Sequence, residues 1–426
     1  MLRRAFPGVY EGWLVVGASA FVVLLIASTF FYGFGTIFNE VVAEFGWSVA
    51  ATSLAFSLRS EVGGIAAPFI GAFVDRTGPG RVLLVGIVVA AAGVLLMSFM
   101  QEIWQFYAAM LIIALGTSAA GGQVGLAAIA TWFRARRATA MSFMTLGGGV
   151  GGLLVVVVAW LVEGFGWRWA LRVLALAMVT LGMLAAANVR ARPRGHPQPI
   201  DGVRARDWRE GDDDRPIQDW GVPWRRVVRS HAFILLSVAL VLNNFGTTAF
   251  VVHQIPYLER SLGMSKAAAG STVALFTLTS IVGRLGFGFL ADRYSKRLMM
   301  ALSIALVVIG LPLLALATEF WQALIAILLI APGFGGTIPV RPAILADYFG
   351  TKTFGTVNGV MSLVQTTGGA VGPWVVGYLV DRTGGYAGGW WISAVVVAVG
   401  IPAVLAAGPP RALIERYRSP PSPPFA

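Results

Sequence analysis

The sequence contains no cysteine and has only three histidines among its 426 residues. Without cysteine, disulfides, thiolate nucleophiles and cysteine-ligated metal sites are excluded. The histidines stand at unrelated spacings, which do not match a metal-binding motif. Charged residues make up 12% of the chain, about half of the roughly 25% found in soluble domains. The sequence also lacks Walker A, G-x-S-x-G and H-E-x-x-H motifs, so we predict no enzyme activity, no cofactor and no metal.

Apolar residues are abundant instead: they form 57% of the chain, and the mean hydropathy is +0.76. A helix that crosses a hydrocarbon core of about 30 Å needs about 20 apolar residues. The sequence therefore predicts an all-α integral membrane protein with twelve transmembrane helices, numbered as spans in chain order. Their approximate limits are 12–37, 49–74, 82–101, 104–131, 138–162, 168–189, 232–256, 267–290, 298–317, 321–345, 355–380 and 390–407.

One long polar segment interrupts these spans. Residues 190–230 contain ten arginines and seven acidic residues together with several prolines, which is typical of a solvated linker. We therefore predict an N-terminal six-helix half at 1–189, a cytoplasmic central linker at 190–230 and a C-terminal six-helix half at 231–408. The proline-rich tail at 409–426 is predicted to be disordered and cytoplasmic.

The net charge of +12 would favour a nucleic-acid partner in a soluble protein. In a membrane protein it is typical of basic residues that fix the orientation. With the N-terminus in the cytoplasm, 24 lysines and arginines fall inside and four fall in outside loops. We therefore predict no nucleic-acid partner, and a multi-pass protein of the cell inner membrane with both termini cytoplasmic.

The chain also repeats itself. The pattern G-x-x-x-D-R occurs at 71–76 and again at 288–293, and the pentapeptide Val74–Gly78 recurs unchanged as Val380–Gly384. Related sequences end spans 5 and 8. Because spans 2 and 5 run in opposite directions, each half is predicted to contain two inverted three-helix repeats. This architecture is typical of alternating-access transporters with a site near the membrane midplane.

The segment Gly71–Arg81 resembles the signature loop between helices 2 and 3 of the major facilitator superfamily, and the resemblance extends over all twelve spans. Shorter sequences resemble the bacterial monocarboxylate porters and oxalate:formate antiporters. They are Tyr10–Trp13, Glu44–Ser48, Trp132-Phe133 with Arg136-Arg137, and His253–Leu258. The resemblance implies a transporter for a small organic anion.

Ionisable residues inside spans are functional candidates, because a charge in the hydrocarbon layer costs about 2.5–3.5 kcal/mol. Arg284 lies eight residues before Asp292, roughly 12 Å from the cytoplasmic end of span 8. Gly283 and neighbouring glycines are expected to leave this helix face open. In the monocarboxylate porters an arginine at this spacing binds the substrate carboxylate, which the resemblance implies for Arg284. A structural arginine, satisfied by carbonyls or by Glu61, is the alternative.

Span 2 carries Arg59 and Glu61, which lie near the middle of the membrane. Residues two apart on a helix do not face each other, so one is predicted to face the pathway while the other pairs with a neighbouring helix. The sequence leaves open which. Glu61 is the only acid that we place inside a span. It is therefore a candidate proton carrier, and a buried ion pair is the alternative.

Arg341 in span 10 is predicted to be either a second anion contact or part of an inside gate pair. The prolines and glycines around it are expected to break the helix, which is tolerated beside protein or a water-filled cavity. His253 could shuttle protons or be a hydrogen-bonded interfacial side chain. Arg172 is expected to snorkel outward. Uncharged polar residues are candidates for lining the pathway or for bonding between helices: Tyr32, Gln123, Asn243, Asn244 and Gln365.

The loops after spans 2 and 8 are predicted to gate the cytoplasmic side through charge pairs that break as the halves rock. Their charged residues are Asp75, Arg76, Arg81, Asp292, Arg293 and Arg297. The glycine run at 147–152 fits G-x-G-x-x-G, but it lies inside an apolar span, so helix packing is favoured over dinucleotide binding.

Three departures from the family limit what the resemblance implies. Ser280 and Tyr32 stand where animal monocarboxylate porters carry an aspartate and a lysine, so their proton-coupling scheme does not transfer whole. Span 11 has no lysine, unlike the oxalate antiporter, which favours a monocarboxylate over oxalate.

Three embedded arginines against one acid predict an electropositive pathway that suits an anion. The predicted function is secondary active transport of a small organic anion, a monocarboxylate, by a monomer in the lipid bilayer. The resemblance suggests a proton as the coupling ion. Export or antiport of larger organic acids or drugs is the alternative, and a non-transporting membrane ligand sensor is the alternative from another class.

Overall fold

The computed structural model describes residues 8–152, 154–193, 196, 198, 200–202 and 220–418. Within these ranges the regular elements are helices, with one isolated β-bridge between Gly221 and Gly350. The all-α prediction is therefore confirmed.

The first six helices follow the predicted spans closely. Their bounds are α1 Glu11–Phe45, α2 Val49–Thr77, α3 Pro79–Met97, α4 Ile103–Trp132, α5 Arg137–Phe165 and α6 Trp167–Ala186. A π-helical turn at Ala27–Tyr32 lies within α1. In α4, the extended backbone of Gly121 separates Ile103–Ala120 from Gly122–Trp132.

The second six helices are similar in length to the first six, and, in the part of the chain that the structure describes, none of them contains a π-helical turn. Their bounds are α7 His231–Leu262, α8 Lys266–Arg293, α9 Lys296–Leu316, α10 Phe320–Phe349, α11 Phe354–Thr383 and α12 Ala387–Ala406. Among the described residues, ten of the twelve helices are long and apolar enough to cross a membrane by length and composition. The other two, α2 and α11, are long enough, at 29 and 30 residues, but they carry more polar side chains.

Serine residues fix where several helices begin. The side chains of Ser48, Ser230 and Ser265 each accept a hydrogen bond from a backbone N–H of the first turn of α2, α7 and α8. Such caps satisfy donors that would otherwise lack a partner at a helix start. The single-residue turn between α2 and α3 is made by Gly78, whose φ of 87° is one that glycine adopts without strain.

The prediction that α10 is broken is wrong. The helix runs unbroken over 30 residues, with Pro332, Pro339 and Pro342 inside it. Pro332 packs directly on α8, where a Cβ added to Gly283 would lie 2.3 Å from the Pro332 carbonyl oxygen. Close packing against a neighbouring helix compensates for the hydrogen bond that a proline removes.

The chain divides into two compact units. One contains Met1–Asp219 and Thr351–Val360, and the other contains Trp220–Gly350 and Met361–Ala426. The first turns of α11 thus belong to the same unit as α1 to α6.

Glycine contacts bring α5 onto α1 in the first unit and α11 onto α7 in the second. A Cβ on Gly147 would lie 2.0 Å from the carbonyl oxygen of Ala20, and one on Gly372 would lie 2.1 Å from that of Phe245. Only glycine permits backbones to approach this closely. The contacts of Gly147 support the packing interpretation of the run at 147–152.

The start of the central linker differs from the predicted solvated segment. Asp201 is buried, and its carboxylate accepts hydrogen bonds from the backbone N–H groups of residues 134–136, just before α5. The buried side chain of His196 contacts Glu11, with 2.9 Å between Nε2 and Oε2. The polar composition of the linker predicted contact with solvent, but the side chains of Asp201 and His196 bind to protein groups of the first unit instead. Residues 194, 195, 197, 199 and 203–219 of the linker lie outside the described ranges, whereas its last part, 220–230, is described and contains a short helix at Trp224–Val227.

The tail differs in part from the predicted disorder. Residues Arg411–Arg418 form a short helix, α13. The prolines that favoured disorder flank this segment rather than lie within it, and Pro410 immediately precedes it, where proline is well tolerated. Positions 419–426 lie outside the described residues.

Candidate functional site

Asp75, from the signature-like motif, is bonded to the start of α11. Its Oδ1 accepts a hydrogen bond from the Gly355 N–H at 2.8 Å, and its Oδ2 accepts from the N–H and the hydroxyl of Thr356 at 2.8 and 2.6 Å. These are donors of the first helical turn, where a carboxylate also interacts favourably with the helix dipole. Asp75 therefore holds the start of α11 in the first unit.

Small residues let α2 and α11 cross closely beside this carboxylate. A Cβ on Gly71 would lie 2.1 Å from the Gly355 carbonyl oxygen, and one on Gly359 would lie 2.4 Å from that of Ala67. Each helix thus contributes two small residues spaced by four positions, a spacing that places them on one face. The hydrogen bonds of Asp75 depend on this close approach.

The second copy of the motif makes different contacts. Lys296 at the start of α9 lies 3.8 Å from Asp292 and 3.0 Å from Asp347, between Nζ and a carboxylate oxygen in each case. The Arg293 guanidinium lies 4.1 Å from the ring centre of Phe289. Lys296 was not among the predicted gating residues, although its position four residues after Asp292 is the spacing of a helical ion pair.

The remaining predicted gating residues differ in exposure. Arg76 and Arg81 are exposed, and Arg297 is half-buried near Gly408. Their gating role stays a prediction.

Arg284 lies where α8 packs tightly on α10. A Cβ on Gly335 would lie 2.1 Å from the Ser280 carbonyl oxygen and 3.1 Å from the Arg284 backbone nitrogen. Gly283 contacts Pro332, so the expectation that it leaves the helix face open is wrong, whereas Gly286 does face open space. The Arg284 side chain is half-buried.

Arg59 and Glu61 occupy different surroundings on α2. Arg59 is buried, with 5% exposure, whereas Glu61 is exposed. Glu61 shares its face of the helix with the exposed side chains of Leu58, Ile65 and Phe69. The two charges thus point in different directions, as their spacing requires, and the exposure of Glu61 disagrees with the buried ion pair.

Arg341 is bonded to a neutral side chain. Its Nη1 donates a hydrogen bond to Oε1 of Gln365 on α11, at 2.5 Å. The backbone carbonyl of Gln365 accepts a second bond from Nδ2 of Asn244 on α7, at 2.9 Å. Residues of α7, α10 and α11 in the second unit therefore meet at this cluster. Gln365 and Asn244 are the uncharged candidates that these hydrogen bonds connect to Arg341.

His253 and Arg172 have partners that fit a structural role. His253 Nε2 lies 2.9 Å from the carbonyl oxygen of Pro373, and its ring lies 5.6 Å from that of Tyr386. The guanidinium of Arg172, near the N-terminal end of α6, lies 4.7 Å from the ring centre of Phe99. These contacts favour the hydrogen-bonded histidine and the peripheral arginine among the alternatives.

The other uncharged candidates are Asn243, Gln123 and Tyr32. Asn243 is buried, with 2% exposure, and Gln123 is half-buried in α4. Tyr32 ends the π-helical turn of α1, but its side chain lies outside the described part of the structure.

Comparison with known proteins identifies similar chains. The family model for the Major Facilitator Superfamily matches residues 20–254 and 236–424. Monocarboxylate transporter 13 of Rattus norvegicus is 26% identical over 376 residues, which cover 87% of this chain and 82% of that protein. An MFS-type transporter of Gibberella moniliformis is 28% identical over 320 residues, covering 72% of this chain and 71% of that protein.

A solved structure shows the same fold. The E. coli fucose:proton symporter FucP matches with a TM-score of 0.69 and 15% sequence identity, covering 93% of this chain and 98% of that one.

Proposed function

The chain belongs to the major facilitator superfamily, and we propose that this membrane transporter carries a small organic anion, a monocarboxylate, by alternating access. Arg284 is the proposed carboxylate contact, and Arg59 and Arg341 are further positive groups of the pathway. Tyr32, Asn243 and Gln123 are proposed as uncharged contacts. The termini are proposed to be cytoplasmic and the membrane to be the cell inner membrane.

The sign of the embedded charge carries this proposal. Arg59, Arg284 and Arg341 lie in helices α2, α8 and α10, and Glu61 is the acid that we propose to be embedded with them. The hydrogen bond of Arg341 to an uncharged amide leaves its positive charge in place. An electropositive pathway favours an anion, and the planar guanidinium matches a carboxylate through two parallel hydrogen bonds. A relative named as a monocarboxylate transporter supports the substrate class.

Proton coupling is proposed to use Glu61. Its carboxyl group lies on the face of α2 that also carries the exposed side chains of Leu58, Ile65 and Phe69. Ionisable residues inside spans often serve in proton relays, and Glu61 is the acid that we place inside a span.

Uptake of labelled lactate into proteoliposomes under an inward proton gradient tests this function. We expect gradient-driven uptake by the native protein and its loss in Arg284→Gln. The matched control is Arg172→Gln, which removes the same charge from the peripheral position on α6. Flux into the vesicles would also exclude a non-transporting sensor. Native uptake that Arg284→Gln leaves unchanged would overturn Arg284 as the contact. No carboxylate flux by the native protein would overturn the substrate class.

A further inference from the structure

The protein satisfies only part of the hydrogen-bonding capacity of the Arg341 guanidinium. Nη1 of its guanidinium donates to Oε1 of Gln365 at 2.5 Å. Within the described residues, no hydrogen bond satisfies Nε, which is shielded from water. A buried donor without a partner is costly, so a guanidinium held in this way favours the binding of a ligand that accepts its remaining hydrogen bonds.

Gln365 is itself held in place. Its backbone carbonyl oxygen accepts a hydrogen bond from Nδ2 of Asn244. The Thr248 hydroxyl in turn donates to Oδ1 of Asn244, at 3.4 Å. One turn further along α11, a Cβ on Gly369 would lie 2.7 Å from Asn244 Nδ2, so glycine provides the space for this amide. The bonds fix the register of α11 against α7 and thereby the position of the Gln365 side chain.

The partner of Arg341 is a neutral amide, which leaves the charge of the guanidinium available. A glutamate at position 365 would form an ion pair with Arg341 and cancel its charge, whereas the neutral amide of Gln365 orients the guanidinium and leaves the charge intact. With Nη1 engaged, the edge formed by Nε and Nη2 remains, and this edge has the spacing that pairs with both oxygens of a carboxylate.

Arg341 lies at a different level from Arg284. Gly335 packs against the backbone of Arg284, and Arg341 follows Gly335 by six residues, about 9 Å along the axis of α10. A small monocarboxylate presents one charged group and does not span this offset. It would therefore contact the two arginines in succession.

We propose that Arg341 and Gln365 form a second carboxylate station, in which Gln365 is the positioning residue, and that the anion passes between this station and Arg284. The inference rests on the proposed function, whose anion it assigns to two successive contacts. It also selects the anion contact over the gate pair as the role of Arg341.

The test compares Gln365→Glu, Gln365→Met, Arg341→Gln and the double variant Arg341→Gln/Gln365→Glu in lactate counterflow, which needs no proton gradient. We expect Gln365→Glu to raise the KM about tenfold, the effect of losing a hydrogen bond to a charged group, with a nearly unchanged maximal rate. Gln365→Met keeps the length of the side chain without the acceptor and should raise the KM less. In the Arg341→Gln background, Gln365→Glu should add no further effect.

Two measurements separate the possible failures. Gln101→Glu, an exposed site outside the helices, adds the same charge and should leave the KM unchanged. The melting temperature of each purified variant is measured with and without lactate, pyruvate and acetate. Native protein that transports or is stabilised by a carboxylate, but whose KM Gln365→Glu leaves unchanged, overturns the second station alone. A Gln365→Glu effect that persists without Arg341 also overturns it. Native protein that responds to no carboxylate overturns the proposed function and this inference with it.

Discussion

Gly71 on α2 and Gly355 on α11 approach so closely that a Cβ on Gly71 would lie 2.1 Å from the Gly355 carbonyl oxygen. The contact is between backbones, so no side-chain rotation can relieve an added methyl group. The two helices must separate if either residue acquires a side chain.

We therefore expect Gly71→Ala and Gly355→Ala to lower both the melting temperature and the transport rate. Gly17→Ala is the matched control, because Gly17 lies within α1 with nothing near its Cβ position. There alanine should be neutral or stabilising by up to about 1 kcal/mol, the difference in helix propensity. Equal melting temperatures for the Gly71 and Gly17 variants would contradict the close crossing.

The carboxylate of Asp75 accepts three hydrogen bonds from the start of α11. Asp75→Asn replaces one accepting oxygen with a donor that faces N–H groups. We expect a loss of about 0.5–2 kcal/mol, the range for helix caps, seen as a lower melting temperature and altered transport. Asp381→Asn is the control, since it makes the same change within an identical pentapeptide at an exposed site. Similar effects of the two changes would argue against the role of the α11 contact.

Glu61→Gln should separate coupling from binding. The amide cannot carry a proton, so gradient-driven uptake of lactate should be lost while counterflow continues. Glu163→Gln removes an exposed acid at the end of α5 and should leave both activities unchanged. Gradient-driven uptake that survives in Glu61→Gln would remove Glu61 as the proton carrier.

His253 is expected to act through its hydrogen bond to the Pro373 carbonyl rather than as a proton shuttle. His253→Gln, whose amide can still donate, should keep the native dependence of uptake on pH. His253→Ala loses the bond, worth about 0.5–1.5 kcal/mol, and should lower the melting temperature. A flattened pH profile in His253→Gln alone would restore the histidine as a proton shuttle.

The sequence predicted the twelve helices well, because long apolar stretches and short polar turns leave few alternatives in a membrane. It also selected Asp75, but not its partner Thr356, which is 281 residues away. No local pattern encodes which helix start a given carboxylate reaches. The hydrogen bond between Arg341 and Gln365 could not be predicted from the sequence for the same reason, although both residues were candidates for the site.

The errors have a related cause. Prolines in α10 and the glycine at position 283 were interpreted as signs of a broken helix and an open face. In the structure they pack against each other, since Pro332 occupies the space beside Gly283. Whether a gap in a helix is open or filled depends on the neighbouring helix, which one-dimensional periodicity does not contain.

The aspartates of the two G-x-x-x-D-R motifs are held by different kinds of interaction. Asp75 holds backbone and hydroxyl donors at short range, whereas Lys296 links Asp292 and Asp347 through charge. Dissolved ions screen charge pairs over about 8 Å at physiological ionic strength, but they affect neutral donors much less. Rising ionic strength would therefore weaken the Lys296 ion pairs more than the hydrogen bonds of Asp75, so that two segments duplicated in sequence respond differently to salt.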